Sequence, residues 1–416
     1  MDFIKKYRNV LAGLLINTVE RHSAVLYGCY ASIMAPVFFP TNDPKLNEMR
    51  ALGVFALTFV MQPVAGFLLG RIGDHYGRKA SMIIGVLLIS IPTFLIGILP
   101  GYETLGVIAP LLLIIALILQ SAGSVAAYNG TAVFLNEFAS SRMKSLFSGL
   151  LVSSSFAGAA IASLCGAVSS SPTGWRMPFI VGSILGLCML GLRKYLEETP
   201  VFQKSLKTQK NKHEKQKSFL EIIRTRKRNL LCTIGIAAGY SLPFYTISIY
   251  FNSFLTLDLG ISHSSMLAYN MFVLIFWALA LPFMGYLADK IETRRLMFFS
   301  ALSLAVFSIP LFSWAMMAPT LTNLTILRIV LSIFSIAILA PATSYISQLF
   351  AVRERQTSLG TGDAIGSLLF GGTAPFICRF LVETMKDPLA PAYYLAFCGV
   401  LTAASIWFAK PVDEKE

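Results

Sequence analysis

The string Gly70-Arg71-Ile72-Gly73-Asp74-His75-Tyr76-Gly77-Arg78-Lys79 lies between two long apolar stretches. A degenerate copy, Gly285-Tyr286-Leu287-Ala288-Asp289-Lys290-Ile291-Glu292-Thr293-Arg294-Arg295, lies between two more. Apolar stretches of this length must satisfy their backbone groups internally, which in lipid means helices. A short charged turn between two such helices, repeated about half a chain later, predicts two related membrane halves.

Composition agrees. Charged residues make up 13% of the chain and apolar residues 55%, against about 25% charged in soluble domains. The net charge of +13 does not read as a nucleic-acid surface, because the basic residues fall in loops between apolar spans. Lys5, Lys6 and Arg8 precede the first span, Arg71, Arg78 and Lys79 follow the second, and Arg353 and Arg355 follow the tenth. The positive-inside bias then puts both termini in the cytoplasm. With roughly 20 apolar residues per crossing, twelve spans are predicted near 9–35, 49–70, 79–99, 105–136, 144–168, 176–194, 228–257, 262–288, 296–316, 321–350, 355–383 and 390–409. The fold class is an all-α membrane protein. Residues 1–194 form an N-terminal six-helix bundle, 195–227 a basic cytoplasmic linker, and 228–416 a C-terminal six-helix bundle. In the linker, Ser218 to Ile223 alternates like a short amphipathic helix, which suits either a solvated connector or an attachment to anionic lipid. The six cysteines lie inside apolar spans and none form a CxxC pair, so no disulfide framework, metal site or cofactor is expected.

Further strings narrow the reading. Tyr27-Gly28 follows Glu20 in the first span, and Val133-Phe134-Leu135-Asn136-Glu137 closes the fourth. Gly174-Trp175-Arg176-Met177-Pro178-Phe179 opens the sixth span, and Glu197-Glu198-Thr199-Pro200 follows it. Gly371-Gly372-Thr373-Ala374-Pro375 lies in the eleventh, and Pro388-Leu389-Ala390-Pro391 opens the twelfth. The charged loop resembles the glycine-aspartate-glycine-arginine loop of the major facilitator superfamily. The whole set resembles its metabolite:proton symporter family, which holds proline/betaine, citrate, 2-oxoglutarate and shikimate permeases.

The resemblance implies a latch at the cytoplasmic side, with Asp74 against the N-terminal end of the eleventh helix and Arg78 against Glu137. Gly70 and Gly77 allow the tight turn, and Asp289 belongs to a weaker second copy. The sequence also departs from the family. Ser23, Gln62, Leu117 and Ala127 stand where the family carries two acids and two bases. Losing both signs together strands no buried charge, and it predicts that Ser23 and Gln62 face each other on the first two spans.

Other intramembrane charges remain, and such groups are functional candidates by their cost. Glu20 lies about eleven residues, or ~17 Å, past the predicted membrane boundary. Asn17, Glu20, Ser23 and Tyr27 share one helix face, so Glu20 lines a cavity or ties the helix to a neighbour. Arg21 and His22 are turned by about 100° and 200° from it, so at least one of the three must meet a neighbouring helix. His22 reads equally as a proton carrier or an interhelical donor. Asp363, at a family tyrosine position, is a new acid about 12 Å into the eleventh span. Arg328 and Arg379 are read as snorkelling toward the outer surface. Neutral pocket candidates are Gln120, Tyr128 and Asn129 in the fourth span and Tyr245 beyond Pro243 in the seventh.

The leading function is a secondary active transporter in the bacterial inner membrane. It would take up a small organic carboxylate or zwitterion with protons by alternating access, as a monomer in the lipid bilayer. No GxxxxGK[ST] loop implies ATP, and no His-Glu-x-x-His or Gly-x-Ser-x-Gly site implies an enzyme. An uncoupled facilitator, a carrier for a carboxylate-type siderophore, or a transport-dead solute sensor are the alternatives.

Overall fold

A computed structural model describes residues 2–40, 54, 57–140, 142–169, 174–194, 198–199, 219–352 and 354–412. The long helices are α1 (Asp2–Phe38), α2 (Gln62–Tyr76), α3 (Arg78–Ile98), α4 (Ile108–Phe138), α5 (Lys144–Val168) and α6 (Arg176–Lys194), followed by a second series. That series begins with α7 (Phe219–Tyr245), which runs through a π-helical turn, Thr246–Tyr250, into Phe251–Leu257. It continues with α8 (His263–Ile291), α9 (Thr293–Met317) and α10 (Leu321–Ser347). Helix α11 comprises Arg355–Gly366, a π-helical turn Ser367–Gly372, and Ala374–Met385, and α12 is Ala390–Phe408.

Among the described residues, nine helices are long and apolar enough to cross a membrane. Three of the twelve predicted spans fall outside that number for physical reasons. Helix α1 is long, but Asn17, Glu20, Arg21 and His22 dilute its apolar character. The described part of α2 has 15 residues, and the apolar part of α6 is short. Most of the predicted linker, including Ser218, lies outside the described residues. Its last part forms the start of α7, which breaks at Arg226 (φ −119°, ψ 19°) before the apolar run begins.

Two helix pairs carry the most extensive packing between the two series, and both are built the same way. Helix α2 packs along α11, and α5 packs along α8. Small residues let the backbones touch, as membrane helix interfaces favour. A Cβ on Gly66 would lie 2.6 Å from the Gly360 carbonyl oxygen, and one on Gly70 would lie 2.7 Å from Thr357 Cα. In the other pair, a Cβ on Gly149 would lie 2.6 Å from the Leu281 oxygen, and one on Gly285 2.5 Å from the Ser145 oxygen. Gly70 and Gly285 hold the same place in the two copies of the loop. The sequence repeat is therefore also a repeat of contacts, with helices two and five of each series exchanged across the interface.

The two loops turn through the same backbone conformation. Gly77 sits at φ 106° between α2 and α3, and Glu292 sits at φ 101° between α8 and α9. Only glycine adopts that region without cost. Glu292→Gly should therefore relieve backbone strain of about 1–3 kcal/mol. It gives up only an exposed pairing with Arg295 at 2.7 Å, a contact type worth roughly 0–1 kcal/mol. A higher Tm for the variant in detergent, alongside a lower one for Gly77→Ala, is the expected result.

Candidate functional site

The copies of the loop place their aspartates at helix N-termini across the interface. Asp74 accepts hydrogen bonds from the backbone N–H groups of Gln356 (3.2 Å) and Thr357 (2.9 Å) at the start of α11, and from the Thr357 hydroxyl (2.7 Å). Asp289 accepts from the backbone N–H groups of Ser145 (2.9 Å) and Leu146 (2.8 Å) at the start of α5. The first N–H groups of a helix have no partner within it, and the helix dipole favours an anion there. Each carboxylate thus caps a helix of the other series.

Around Asp74 the first copy adds what the second lacks. Arg78 is fully buried. Its Nη1 donates to Asp74 (2.6 Å) and to the Gly73 carbonyl (3.0 Å), and its Nη2 donates to Glu137 (3.0 Å) and the Val352 carbonyl (2.9 Å). Glu137 also accepts from the Thr199 hydroxyl and lies 3.7 Å from Arg355. The matching position in the second copy is Thr293, whose hydroxyl reaches the Ser145 hydroxyl at 3.0 Å. The two caps are alike in hydrogen bonds to backbone. They differ in that, among the described residues, only the first is backed by a buried ion-pair network.

Deeper in the bundle a second cluster spans the interface. From the first series, Arg21 lies over the Tyr128 ring at 5.6 Å. From the second, Asp363 accepts a hydrogen bond from the Tyr240 hydroxyl. Arg21 and Asp363 form no direct ion pair among the described residues. Tyr245 packs edge-on against Phe59 at 5.7 Å and against Phe244 at 5.1 Å. Phe244, Phe156 and Trp277 continue this wall, with Phe156 stacked on Trp277 at 5.0 Å. The two π-helical turns border it, since a Cβ on Gly371 would lie 2.9 Å from the Tyr245 ring. Turns of this kind often mark functional positions.

The structure sorts the predicted residues of α1. Arg21 faces the interface cluster. His22 is buried toward α5 and α6, with Nε2 3.8 Å from the Cys165 sulfur and its ring beside Gly182. Glu20 is buried as well. Asn17 donates to the Leu151 carbonyl and the Ser154 and Ser155 hydroxyls of α5, so its amide is engaged inside the first series. Gln120 bridges the Ser23 carbonyl (3.1 Å) and the Thr93 hydroxyl (2.7 Å). Asn129 is buried where α4 meets α11, its Nδ2 in reach of Gly360.

Two expectations are corrected. Ser23 and Gln62 do not face each other. The Ser23 hydroxyl lies by Gly182 of α6, and the Gln62 amide donates to Ser121 of α4 at 3.2 Å. Arg328 does not snorkel, for it is fully buried. Arg379, by contrast, is part-exposed and pairs with Asp258 at 2.9 Å and Glu383 at 3.0 Å. Phe59, Phe156, Phe244 and Trp277 join the ring contacts of this cluster and were not singled out from the sequence, because aromatic residues in apolar spans carry no periodic signal that sets them apart from other packing.

Two helical series meeting along reciprocal helix pairs, most of their long helices apolar enough to cross a membrane, are the architecture of a membrane carrier. The family model for the Major Facilitator Superfamily matches residues 23–312 and again 234–416. The proline/betaine transporter of Escherichia coli strain K12 is 30% identical over 426 residues, covering 98% of this chain and 84% of that protein. The glycine betaine/proline/ectoine/pipecolic acid transporter OusA of Dickeya dadantii is 29% identical, covering 98% and 83%. The proton:xylose symporter XylE bound to 6-bromo-6-deoxy-D-glucose shares the fold with a TM-score of 0.76 at 16% identity, covering 98% of this chain and 96% of that one. The chain belongs to the major facilitator superfamily, and it is a multi-pass membrane transporter, not an enzyme.

The capping geometry yields a test. Asp74→Asn removes charge from a helix N-terminus and leaves Arg78 with one fewer carboxylate, and breaking a buried pair costs about 3–5 kcal/mol. Asp289→Asn loses only the helix-terminal term, about 0.3–2 kcal/mol. Cysteines engineered at the charged-loop end should label faster in Asp74→Asn than in Asp289→Asn, and equal rates in both would contradict the difference drawn between the caps.

Proposed function

We propose that this transporter imports a small zwitterionic solute together with protons, by rocking residues 1–194 against residues 228–416. The single observation that carries this reading is the separation of Arg21 and Asp363. They bear opposite charges on opposite series, and no direct ion pair joins them among the described residues. A zwitterion fits between them, its carboxylate toward Arg21 and its cationic end against the rings beside Asp363, so that Asp363 can hold a proton while the solute is bound. The ring faces of Tyr128, Tyr240 and Tyr245 suit a cationic end, because a ring quadrupole attracts a cation at its face. The names of the relatives, transporters of proline and betaines, support the same solute class.

The alternating-access cycle follows from the same parts. The topology is twelve spans with both termini in the cytoplasm of a bacterial inner membrane. The Asp74 and Asp289 caps hold the cytoplasmic side shut while the solute binds from outside. Solute between Arg21 and Asp363 draws the series together at mid-depth, where this class of transporter keeps its site. Asp363 is the proton carrier, with Tyr240 as its hydrogen-bond partner. A proton on Asp363 removes its charge during the crossing, and release inside restores it. Glu20 and His22, both buried in the first series, are the second candidates for the proton path.

In proteoliposomes with an imposed proton gradient, the wild type should concentrate proline or glycine betaine. Asp363→Asn should abolish that accumulation and leave solute exchange in place. Arg21→Gln should weaken solute binding by about tenfold or more, the loss of a charged hydrogen bond worth roughly 1.5–3 kcal/mol. Normal accumulation by Asp363→Asn would remove it as the coupling group. Wild-type equilibration without accumulation would instead mark a facilitator.

A further inference from the structure

Arg328 stands apart from both clusters. It lies seven residues inside α10, about 10 Å from the helix start, and its side chain is fully buried. Its surroundings come from three helices. Nη2 donates to the Asn270 side-chain oxygen of α8 at 3.2 Å and to that of Asn252, beyond the π-helical turn of α7, at 3.3 Å. The guanidinium lies over the Tyr269 ring at 4.8 Å and near the Phe251 ring at 6.0 Å. All of these partners are neutral. Among the described residues, Nε and Nη1 have no hydrogen-bond partner, and Arg328 takes part in no ion pair. The acid near the end of α7, Asp258, pairs with Arg379 instead.

Arginine keeps its proton in any protein environment, so the charge cannot be shed by titration. A membrane-embedded cation is costly and normally faces a partner or a pathway. Two asparagine oxygens and two ring faces orient the guanidinium, but they do not balance its charge. Arginine's fork suits a carboxylate bound through two N–H groups, and Nε and Nη1 are the groups left over. Asn252 and Tyr269 are only half-buried, so the binding edge is one side chain away from an accessible surface.

We propose that Arg328, with Asn252, Asn270 and Tyr269, forms a binding site for a monovalent anion, a carboxylate or a halide, inside the second series. This site is distinct from the Arg21–Asp363 pair and does not depend on the transport reading. Two sources share the chemistry: an inorganic ion such as chloride, and the carboxylate of a solute on its way through the outer half of the protein.

The test is thermal unfolding of the purified full-length protein against rising sodium chloride and, separately, sodium acetate. A ligand that binds the folded state raises Tm. The expected result is a saturable rise in the wild type that is lost in Arg328→Gln, weakened in Arg328→Lys, and retained in Arg21→Gln. Effects of ionic strength are common to all four proteins and cancel in the comparison. A rise with chloride alone assigns an inorganic anion, and a rise with acetate alone assigns a solute carboxylate. No saturable rise in the wild type with either salt overturns the proposal, whether or not the variants fold. So does an equal rise in Arg328→Gln, or its loss in Arg21→Gln.

Discussion

A carboxylate on the open N-terminus of a helix is the interaction on which this molecule's two-part construction turns. Asp74 serves α11 and Asp289 serves α5. Each removes a charge from a short loop of its own series and spends it on the backbone of the other. A helix N-terminus is a directional target, because its N–H groups point along the axis. The carboxylate therefore sets register as well as attraction. The glycines beside it, Gly70 against Thr357 and Gly285 against Ser145, bring the backbones close enough for that register to hold. Interfaces of this kind form and part as units, since losing the close approach also exposes the buried charges.

The ion pairs of Arg78 make the two caps unequal. Its guanidinium joins Asp74 to Glu137 and to the Val352 carbonyl, so the first loop is tied to α4, α11 and the turn before α11 at once. Among the described residues the second loop rests on Asp289 and a hydroxyl pair. Any parting of the two series at the charged-loop end would break the buried network of the first cap. At mid-depth the logic reverses. Arg21 lies over the Tyr128 ring and Asp363 accepts from Tyr240, and the proposed solute, bearing both charges, would stabilise the assembly between them.

Much of this was legible in the residues alone. The repeated loop announced two halves, and the positions of Gly70, Asp74 and Gly285 in it are those that meet the opposite series. The partners named for Asp74, Arg78 and Asp363 were less equal in how they could be read. The first two followed from the family's loop. Tyr240 as the partner of Asp363 could not be found by spacing, because the two lie on different helices with no periodic link. Arg328 was misread for a similar reason: its distance from a helix end suits snorkelling, and only the packing of α7, α8 and α10 around it excludes that. The Ser23 and Gln62 pairing failed because both side chains turn toward other helices, Ser23 to α6 and Gln62 to α4. A charge difference from a family's pattern does not by itself specify a contact.

The central claim is that the capped interface and the mid-depth pair exchange stability as the two series rock. Distance measurements between spin labels test it most directly, with one pair across the charged-loop end and one across the opposite end, in liposomes with and without proline or glycine betaine. The account predicts two populations at each end, with short distances at one end accompanying long distances at the other, and a solute-dependent shift between them. A single unchanging distance at the charged-loop end, or both ends opening together, would contradict it.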